Sequence, residues 1–352
     1  MIKTPVIIEV TITNSCNCNC AYCFEPTHSC SIDIEEQARQ LTLIEDYCKT
    51  FDTEKHSYIL LSFWGGEPTL NIDFICQLVA ATSKYEFVRY SMYTNGTMPD
   101  KISAFIDIIK TNFVVDRIHV QLSYDGEPHH MMLRGYSSDK VLQSARLLKA
   151  ANIDIAFKAT LTYENVKLLP DIWKSYELLY NEFNNISYSP TLDTTNLGDD
   201  KYFDDWKAAL NTIIKYEYDF IKKHNRPLMT WFANNTKLNC NISNTININN
   251  DGKIYICHGC PYTKNSEIFV LNTTKGIKHL SEVLNSYMIY ENAICEKCYA
   301  TYCAVCHAAT LENASNPLIE WCDNKPNNFF RCKYYKYFGY ISRVLKFLVM
   351  VK

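Results

Sequence analysis

The polarity of the chain alternates between short apolar segments rich in β-branched residues and longer segments with apolar residues at helical spacing. The short segments predict six strands, at Val6–Ile12, Tyr58–Trp64, Val88–Tyr93, Arg117–Ser123, Ile153–Leu161 and Ile186–Pro190. The longer segments predict helices between them, at Ile34–Phe51, Ile72–Ser83, Asp100–Asn112, Lys140–Ala150 and Asn165–Leu179. Such alternation is typical of a parallel sheet. Because a closed barrel has eight units, we predict an α/β fold with a partial, open (β/α)6 barrel, and an open sheet is the alternative.

The pattern changes after about residue 200. Residues Tyr202–Lys223 predict one long helix, and the Asn- and Cys-rich segment beyond it contains short strands at Thr245–Ile248 and Lys253–Ile256, joined by a hairpin turn. We therefore predict a barrel over residues 1–200, a connecting helix over 201–230, a cysteine-rich domain over 231–335 and a C-terminal helix over 336–352. The apolar stretch Tyr337–Val351 fits a helix packed on the protein, with a helix on a membrane surface as the alternative.

The composition of the chain limits the kinds of binding partner and the cellular location that we expect. The chain has 352 residues, 47% of them hydrophobic, and a formal net charge of −3. This charge gives no reason to expect nucleic acid, because nucleic-acid-binding domains carry a basic excess. No run of about 20 apolar residues predicts a transmembrane segment, and Met1–Val10 lacks the pattern of a signal peptide. We expect a cytoplasmic protein, in which 16 cysteines indicate metal binding and not disulfides.

Three cysteines, Cys16, Cys20 and Cys23, lie in one loop directly after the first predicted strand. A loop at the carboxyl end of a barrel strand lies on the face where active sites form. Three thiolates can hold three irons of a cubane cluster and leave the fourth iron open for a ligand. For a cysteine cluster alone, the alternatives are a structural zinc site and buried free thiols.

The spacing C-x3-C-x2-C, with Tyr22 before the last cysteine, resembles the signature of the radical S-adenosylmethionine (SAM) superfamily. In that pattern Cys18 is not a ligand. The resemblance implies that Cys16, Cys20 and Cys23 are at once metal ligands and catalytic residues. It also implies the reaction: a [4Fe-4S] cluster passes one electron to SAM, and the resulting 5′-deoxyadenosyl radical removes hydrogen from a substrate.

Turns after the later predicted strands extend the resemblance over about residues 6–195. One turn resembles the family motif that contacts the amino group of SAM. Two others resemble the family's polar turn near the SAM pocket and its segment near the ribose. Arg134 suits the SAM carboxylate, because a guanidinium binds a carboxylate through two parallel hydrogen bonds, and a surface salt bridge is the alternative. The SAM-binding residues that the resemblance implies are Tyr22, Gly65, Gly66, Glu67, Pro68, Thr94, Asn95, Ser123, Asp125, Arg134 and, over the adenine, Leu161.

A second set of cysteines near the C-terminus resembles the SPASM extension of radical SAM enzymes, which binds two auxiliary [4Fe-4S] clusters. When the family's cysteine ligands are assigned to this sequence in chain order, the resemblance implies two clusters. One lies on Cys240, Cys257 and Cys306, and the other lies on Cys295, Cys298, Cys303 and Cys322. Cys260 is a candidate further ligand of the first cluster, and Cys332 is a candidate substitute for Cys322. The block from Cys295 to Cys306 is tighter than the family spacing, and a zinc ribbon is the alternative.

The resemblance also implies a peptide or protein substrate, because SPASM-containing members mostly act on these. We expect maturation of a ribosomally synthesised peptide, through a thioether or carbon–carbon link or by side-chain oxidation. An anaerobic sulfatase-maturating (formylglycine-generating) enzyme is the alternative, although His258 stands where that family has an Asp base. Expected partners are a reductant such as flavodoxin or ferredoxin and a separate leader-binding protein. A non-catalytic iron–sulfur or zinc-binding electron-transfer module is the alternative of another class.

Overall fold

A computed structural model describes residues 3–23, 25, 34–127, 129–183, 186–192, 199–232 and 245–255 and, near the C-terminus, residues 337, 340, 341, 343–345, 348 and 349. The nine cysteines from Cys240 onward lie outside the described residues. The predicted auxiliary clusters therefore stay predictions, as does the role considered for His258.

Strands and helices alternate along the described residues, which confirms the predicted α/β fold with a mainly parallel sheet. The strands are β1 (Thr4–Thr13), β2 (His56–Gly65), β3 (Val88–Thr94), β4 (Ile118–Ser123), β5 (Asp154–Leu161), β6 (Ser187–Leu192), β7 (Thr245–Ile248) and β8 (Ile254–Tyr255). The helices are α1 (Ile34–Lys49), α2 (Ile72–Thr82), α3 (Pro99–Thr111), α4 (His129–Arg134), α5 (Asp139–Ala150), α6 (Leu169–Phe183) and α7 (Asp200–His224).

Two helices differ from the sequence prediction by more than one or two residues at an end. Helix α6 begins at Leu169, later than the predicted Asn165, because Val166–Leu168 forms a separate 3-10 turn. Pro170 favours this late start, since proline has no backbone N–H to donate and is tolerated in the first helical turn. The short helix α4 was not predicted. It begins where the amides of His129 and His130 donate to the carbonyl oxygen of Gly126, at 3.1 and 3.0 Å.

The chain divides into two compact units. The first comprises Met1–Ser123, Arg134–Ile155 and Asn241–Ile289, and the second comprises Tyr124–Leu133, Ala156–Cys240 and Tyr290–Lys352. In the first unit the strand order is β4-β3-β2-β1-β7-β8, and every neighbouring pair is parallel except β7 and β8. The predicted hairpin of β7 and β8 therefore lies on the edge of β1, a pairing that the sequence pattern did not indicate.

The two faces of the sheet in the first unit differ in polarity. One face carries fully buried apolar residues in register, such as Val10, Phe63 and Met92. The other face carries a row of polar residues in which Glu9 pairs with Ser62 and Asn247, and Ser62 pairs with Ser91. Side chains alternate between the faces because a strand has a period of two. The polar face follows from this alternation, and the loops at the carboxyl ends of the strands lie at one edge of it.

The second unit contains the parallel pair β5 and β6 and the helices α6 and α7. Its core includes Tyr176 of α6, whose ring stacks on that of Tyr188 with centroids 3.6 Å apart. The described C-terminal residues are helical, and among them Ile341 and Leu345 are buried one turn apart. Among the described residues, none of the helices has the length and apolar character needed to cross a bilayer.

Candidate functional site

The loop that follows β1 carries four free thiols between Cys16 and Cys23. Cys16 and Cys20 are partly exposed, Cys23 is exposed, and Cys18 is buried. The amide of Cys23 donates to the carbonyl oxygen of Cys20 at 3.1 Å, so the end of the loop forms a tight turn. The strand end and this turn therefore hold three thiols of unequal exposure on one short segment, with Cys18 turned inward.

Gly65 and Gly66 let the turn after β2 lie against the start of this cysteine loop. The amide of Gly66 donates to the carbonyl oxygen of Thr13 at 2.8 Å, and the amide of Glu67 donates to that of Ser15 at 2.9 Å. A Cβ on Gly66 would lie 2.5 Å from the Ser15 carbonyl oxygen, and one on Gly65, where φ is +123°, would collide with that of Thr13. The glycines thus position the loop, while their predicted contact with SAM stays a prediction.

Glu67 is fully buried and joins two turns through its carboxylate. The amide and hydroxyl of Thr69 donate to Oε1 at 3.1 and 2.6 Å, and the hydroxyl of Thr94 donates to Oε1 at 2.7 Å. The amide of Asn95 donates to Oε2 at 2.7 Å. Burial raises the pKa of Glu67, and the hydrogen bonds counteract this by stabilising the ionised form. An ammonium group of SAM would have to compete with these donors. Pro68, also buried, begins the 3-10 turn Pro68–Asn71.

Asn95 connects the turn after β3 to the cysteine loop. Its side-chain nitrogen donates to Oδ1 of Asn17 at 2.7 Å and to Sγ of Cys18 at 3.1 Å, and it lies 4.0 Å from Sγ of Cys16. Its side-chain oxygen accepts from the amide and the hydroxyl of Thr97, at 3.0 and 2.7 Å. The side-chain nitrogen of Asn17 donates to Oγ1 of Thr97 at 2.8 Å and completes a cycle.

Arg134 is a buried cation against the cysteine loop. It is 7% exposed, so the alternative of a surface salt bridge is wrong. Its Nη1 lies 3.9 Å from Sγ of Cys20, and its guanidinium carbon lies 5.4 Å from the centre of the Tyr22 ring. A guanidinium over an aromatic face gains a cation–π attraction. Arg134 and Tyr22 therefore belong to the loop's surroundings, and the contact of Arg134 with the SAM carboxylate stays a prediction.

The thiols of the loop are not electrostatically equivalent. A hydrogen bond from the Cys18 thiol lowers the pKa of Cys16 to about 7. The same hydrogen bond, together with burial, raises the pKa of Cys18 above its ordinary value. Because the thiolate is the form that binds metals, this asymmetry favours Cys16 over Cys18 as a ligand.

Three predicted SAM-binding residues lie at later strand ends. Ser123 ends β4 and is partly exposed. Asp125 and Leu161, both fully buried, belong to the second unit. Oδ1 of Asp125 accepts from the amide of Thr160 at 2.9 Å, and the carbonyl oxygen of Leu161 accepts from the hydroxyl of Tyr202. Contact between Leu161 and an adenine would require a neighbouring side chain to move, and the roles of all three residues stay predictions.

Sequence reasoning missed the residues that hold the loop in place. Asn17 and Thr97 were not singled out, nor was the pair in which Nε1 of Trp64 donates to Oε1 of Glu25 at 2.9 Å. The available signal was the Asn95-x-Thr97 spacing, because an asparagine side chain often binds the backbone two residues further on. Among the described residues, no three His, Cys, Asp or Glu side chains converge on one metal ion.

Comparison with known proteins gives a family match over the part of the chain that contains this site. Residues 10–178 match the Radical SAM superfamily. Protein MJ0907 of Methanocaldococcus jannaschii, which is uncharacterized, is 28% identical over 172 residues, or 46% of this chain and 55% of that protein. A probable GTP 3′,8-cyclase of Sulfurisphaera tokodaii is 23% identical over 78% of this chain and 87% of its own length. The radical SAM cyclopropyl synthase TigE of Paramaledivibacter caminithermalis is 26% identical over 44% of this chain and 35% of its length.

The chain thus spans only part of two of these relatives, about half of MJ0907 and a third of TigE. Solved structures resemble it over a larger share. Native anSMEcpe with bound AdoMet has a TM-score of 0.72 at 18% identity, covering 99% of this chain and 100% of that one. Streptococcus suis SuiB bound to S-adenosylmethionine has a TM-score of 0.56 at 13% identity, covering 90% and 76%. At these identities the likeness establishes the fold.

Proposed function

From the match of residues 10–178 to the Radical SAM superfamily, we propose that this chain is an enzyme that cleaves SAM and abstracts hydrogen from a peptide or protein. The observation that carries the proposal is the support given to the loop of Cys16, Cys20 and Cys23. The turns after β2 and β3 both bond to this loop, through the amide of Glu67 and the side chain of Asn95. Rigid support is what a catalytic loop requires, because small displacements of reacting groups lower the rate steeply.

The family implies a [4Fe-4S] cluster and SAM, and the residues present fit the cluster. Three free thiols on one loop match the three ligands of a cluster with one open iron. They need not converge on one point, since each thiolate of a cubane binds a different iron. The buried guanidinium of Arg134 beside Cys20 is suited to the negative charge of a thiolate-bound cluster. When bound, the cluster and SAM supply the electron transfer and the radical.

The protein's own residues have other tasks. Glu67, with its buried hydrogen bonds, fixes the turns after β2 and β3 to each other. Gly66 sets how near the first of these turns lies to the loop. The polar face of the sheet carries Glu9, Ser62 and Ser91, and the hydroxyls of the two serines hydrogen-bond to each other at 2.8 Å.

A peptide substrate is supported by the kinds of protein that this chain resembles. The structural neighbours include anSMEcpe bound to AdoMet and the Cp18Cys peptide and SuiB bound to the precursor peptide SuiA. We propose maturation of a ribosomally synthesised peptide, through a crosslink or a side-chain oxidation. A flavodoxin or ferredoxin as reductant and a separate leader-binding protein are part of the same proposal.

A second candidate is the oxidation of a sulfatase peptide to formylglycine. It is favoured by the fold, because the sulfatase maturase anSMEcpe covers 99% of this chain at a TM-score of 0.72. Mass spectrometry separates the candidates. A loss of two hydrogens with an intact cysteine or with a new link supports peptide maturation, and conversion of a cysteine to an aldehyde supports the sulfatase role. Turnover of GTP and of neither peptide would overturn both.

The enzymatic claim has its own test. Anaerobically reconstituted protein with dithionite and SAM should release 5′-deoxyadenosine, and Cys20→Ala should abolish this release. Cys76→Ala is the matched control, because Cys76 is a partly exposed free thiol of α2 outside the loop. Release that survives in Cys20→Ala, or no release from iron-loaded wild type, would contradict the proposed function.

A further inference from the structure

Four cysteines share eight residues of the loop, yet a cluster with one open iron needs only three ligands. By spacing alone Cys18, which lies two residues from both Cys16 and Cys20, competes with them for iron. A flexible loop would allow more than one set of three ligands. The fold must therefore hold one thiol back for the loop to bind iron in a single way.

Cys18 is the thiol that the structure holds back. It is 9% exposed, whereas Cys23 is exposed. Its Sγ accepts a hydrogen bond from Nδ2 of Asn95 at 3.1 Å and lies 3.7 Å from Oδ1 of Asn17. To ligate iron, Cys18 would have to break these contacts and leave its buried position.

The two asparagines are themselves fixed. The side chains of Asn17, Asn95 and Thr97 form a closed cycle of hydrogen bonds of 2.7 to 2.8 Å, here called the amide clamp. The amide of Thr97 donates a further bond to Oδ1 of Asn95 at 3.0 Å. Because each amide group has both its ends engaged, neither can rotate without losing a hydrogen bond. The clamp thus presents a donor and an acceptor to Cys18 in a set orientation.

We propose that the amide clamp selects the ligand set of the loop: by holding the Cys18 side chain in its buried position, Asn95 and Asn17 leave Cys16, Cys20 and Cys23 as the iron ligands. This inference rests on the proposed function. Asn95 and Asn17 are positioning residues here: they act on the ligand set through Cys18, and Nδ2 of Asn95 also lies 4.0 Å from Sγ of Cys16. Asn95 is therefore assigned a task distinct from contact with SAM.

One arm of the test uses apo-protein and needs no cluster. Iodoacetamide should alkylate Cys18 about tenfold more slowly than Cys23, as read by peptide mass spectrometry, since burial and two contacts protect it. Asn95→Ala and Asn17→Ala should each remove this protection. Asn71→Ala is the matched control, because the side-chain nitrogen of Asn71 donates to the carbonyl oxygen of Ile12, a residue of β1, at 3.3 Å. Equal rates for Cys18 and Cys23 in wild type would overturn the proposal.

The other arm uses reconstituted protein. The readout is the change that SAM produces in the electron paramagnetic resonance signal, because only a cluster with an open iron gives this change. Asn95→Ala should lower the SAM-responsive signal about fivefold, the factor that corresponds to about 1 kcal/mol. The double variant Asn95→Ala/Cys18→Ala should recover most of it, because the competing thiol is gone. If Asn95→Ala does not fold, the same comparison is made with Asn17→Ala and the double variant Asn17→Ala/Cys18→Ala.

The outcomes are distinguishable. No SAM response in iron-loaded wild type would overturn the proposed function, and the apo-protein arm would still decide whether the clamp protects Cys18. A response in wild type that Asn95→Ala lowers and the second substitution does not restore would overturn ligand selection, and would leave Asn95 as a general support of the loop. An unchanged response in Asn95→Ala would overturn it as well.

Discussion

Substitution of Gly66 by alanine tests whether the close approach of two backbone segments sets the position of the cysteine loop. The added Cβ would lie 2.5 Å from the carbonyl oxygen of Ser15, whereas ordinary contact begins at 3.4 Å, so the loop must retreat by about 0.9 Å. The neighbouring atoms are backbone and cannot turn aside as a flexible side chain would. We expect the cost of overpacking, about 1–3 kcal/mol.

The functional loss should be larger than the loss of stability suggests. A displacement near 1 Å in a reacting group lowers rates by about 100-fold, so 5′-deoxyadenosine release per loop-bound cluster should fall by about this factor. The assay is single-turnover release under anaerobic conditions, with iron content and melting temperature recorded for each variant. The matched control is Gly252→Ala in the β7–β8 turn, where φ is +77° and the nearest atom to a new Cβ is 3.6 Å away.

Gly252→Ala should cost about 1 kcal/mol of backbone strain and leave the rate of release unchanged. Gly66→Ala should lower the melting temperature by an amount comparable to that of Gly252→Ala, and it should also cause the large loss in the rate of 5′-deoxyadenosine release. If Gly66→Ala releases 5′-deoxyadenosine at the wild-type rate, the backbone contact does not position the loop. If both variants lose the rate equally, the effect is one of general stability.

Two further predictions concern the second unit and its longest helix. Burial raises the pKa of Glu217, which is fully buried and accepts from the amide of Met229, from its ordinary 4.5 to about 7. The contribution of Glu217 to the free energy of unfolding is therefore complete below about pH 4.5 and is lost as the pH rises through 7. Wild type should lose on the order of 3 kcal/mol between pH 5 and 8 in urea unfolding, and Glu217→Gln should lack this slope. Equal slopes in the two proteins would refute the raised pKa. Asp199 caps α7 by accepting from the amide of Tyr202 at 2.8 Å, so Asp199→Ala should cost about 1 kcal/mol in thermal unfolding. The exposed Asp204 of the same helix is the control, and an equal loss in Asp204→Ala would argue against the cap.

The elements of the fold were largely predictable because local patterns determine them. The apolar, β-branched runs gave all six strands of the repeating units, and the helix that follows β3, for example, differs from its prediction only at its ends. The late start of α6 followed from Pro170, a local feature that the apolar spacing does not register. The pairing of β7 with β1 could not be predicted, because it joins residues such as Ile7 and Thr245 that lie far apart in the chain.

The site was predictable only in part for the same reason. The spacing of Cys16, Cys20 and Cys23 indicated the chemistry of the loop, since ligand spacing within one loop is a local property. The bonds from Asn95 to Asn17, 78 residues apart, depend on the register of the strands between them. The positions of Gly65 and Gly66 suggested close approach to a ligand, and the structure shows close approach to the loop itself.

The most direct test of the central claim is the electron paramagnetic resonance spectrum of dithionite-reduced protein with and without SAM. In wild type, SAM should change the signal, because an open iron on the loop of Cys16, Cys20 and Cys23 binds it. Replacement of these three cysteines by alanine should remove that response while any iron bound elsewhere remains. A SAM response that persists in the triple variant, or an iron-loaded wild type whose spectrum SAM leaves unchanged, would contradict the account.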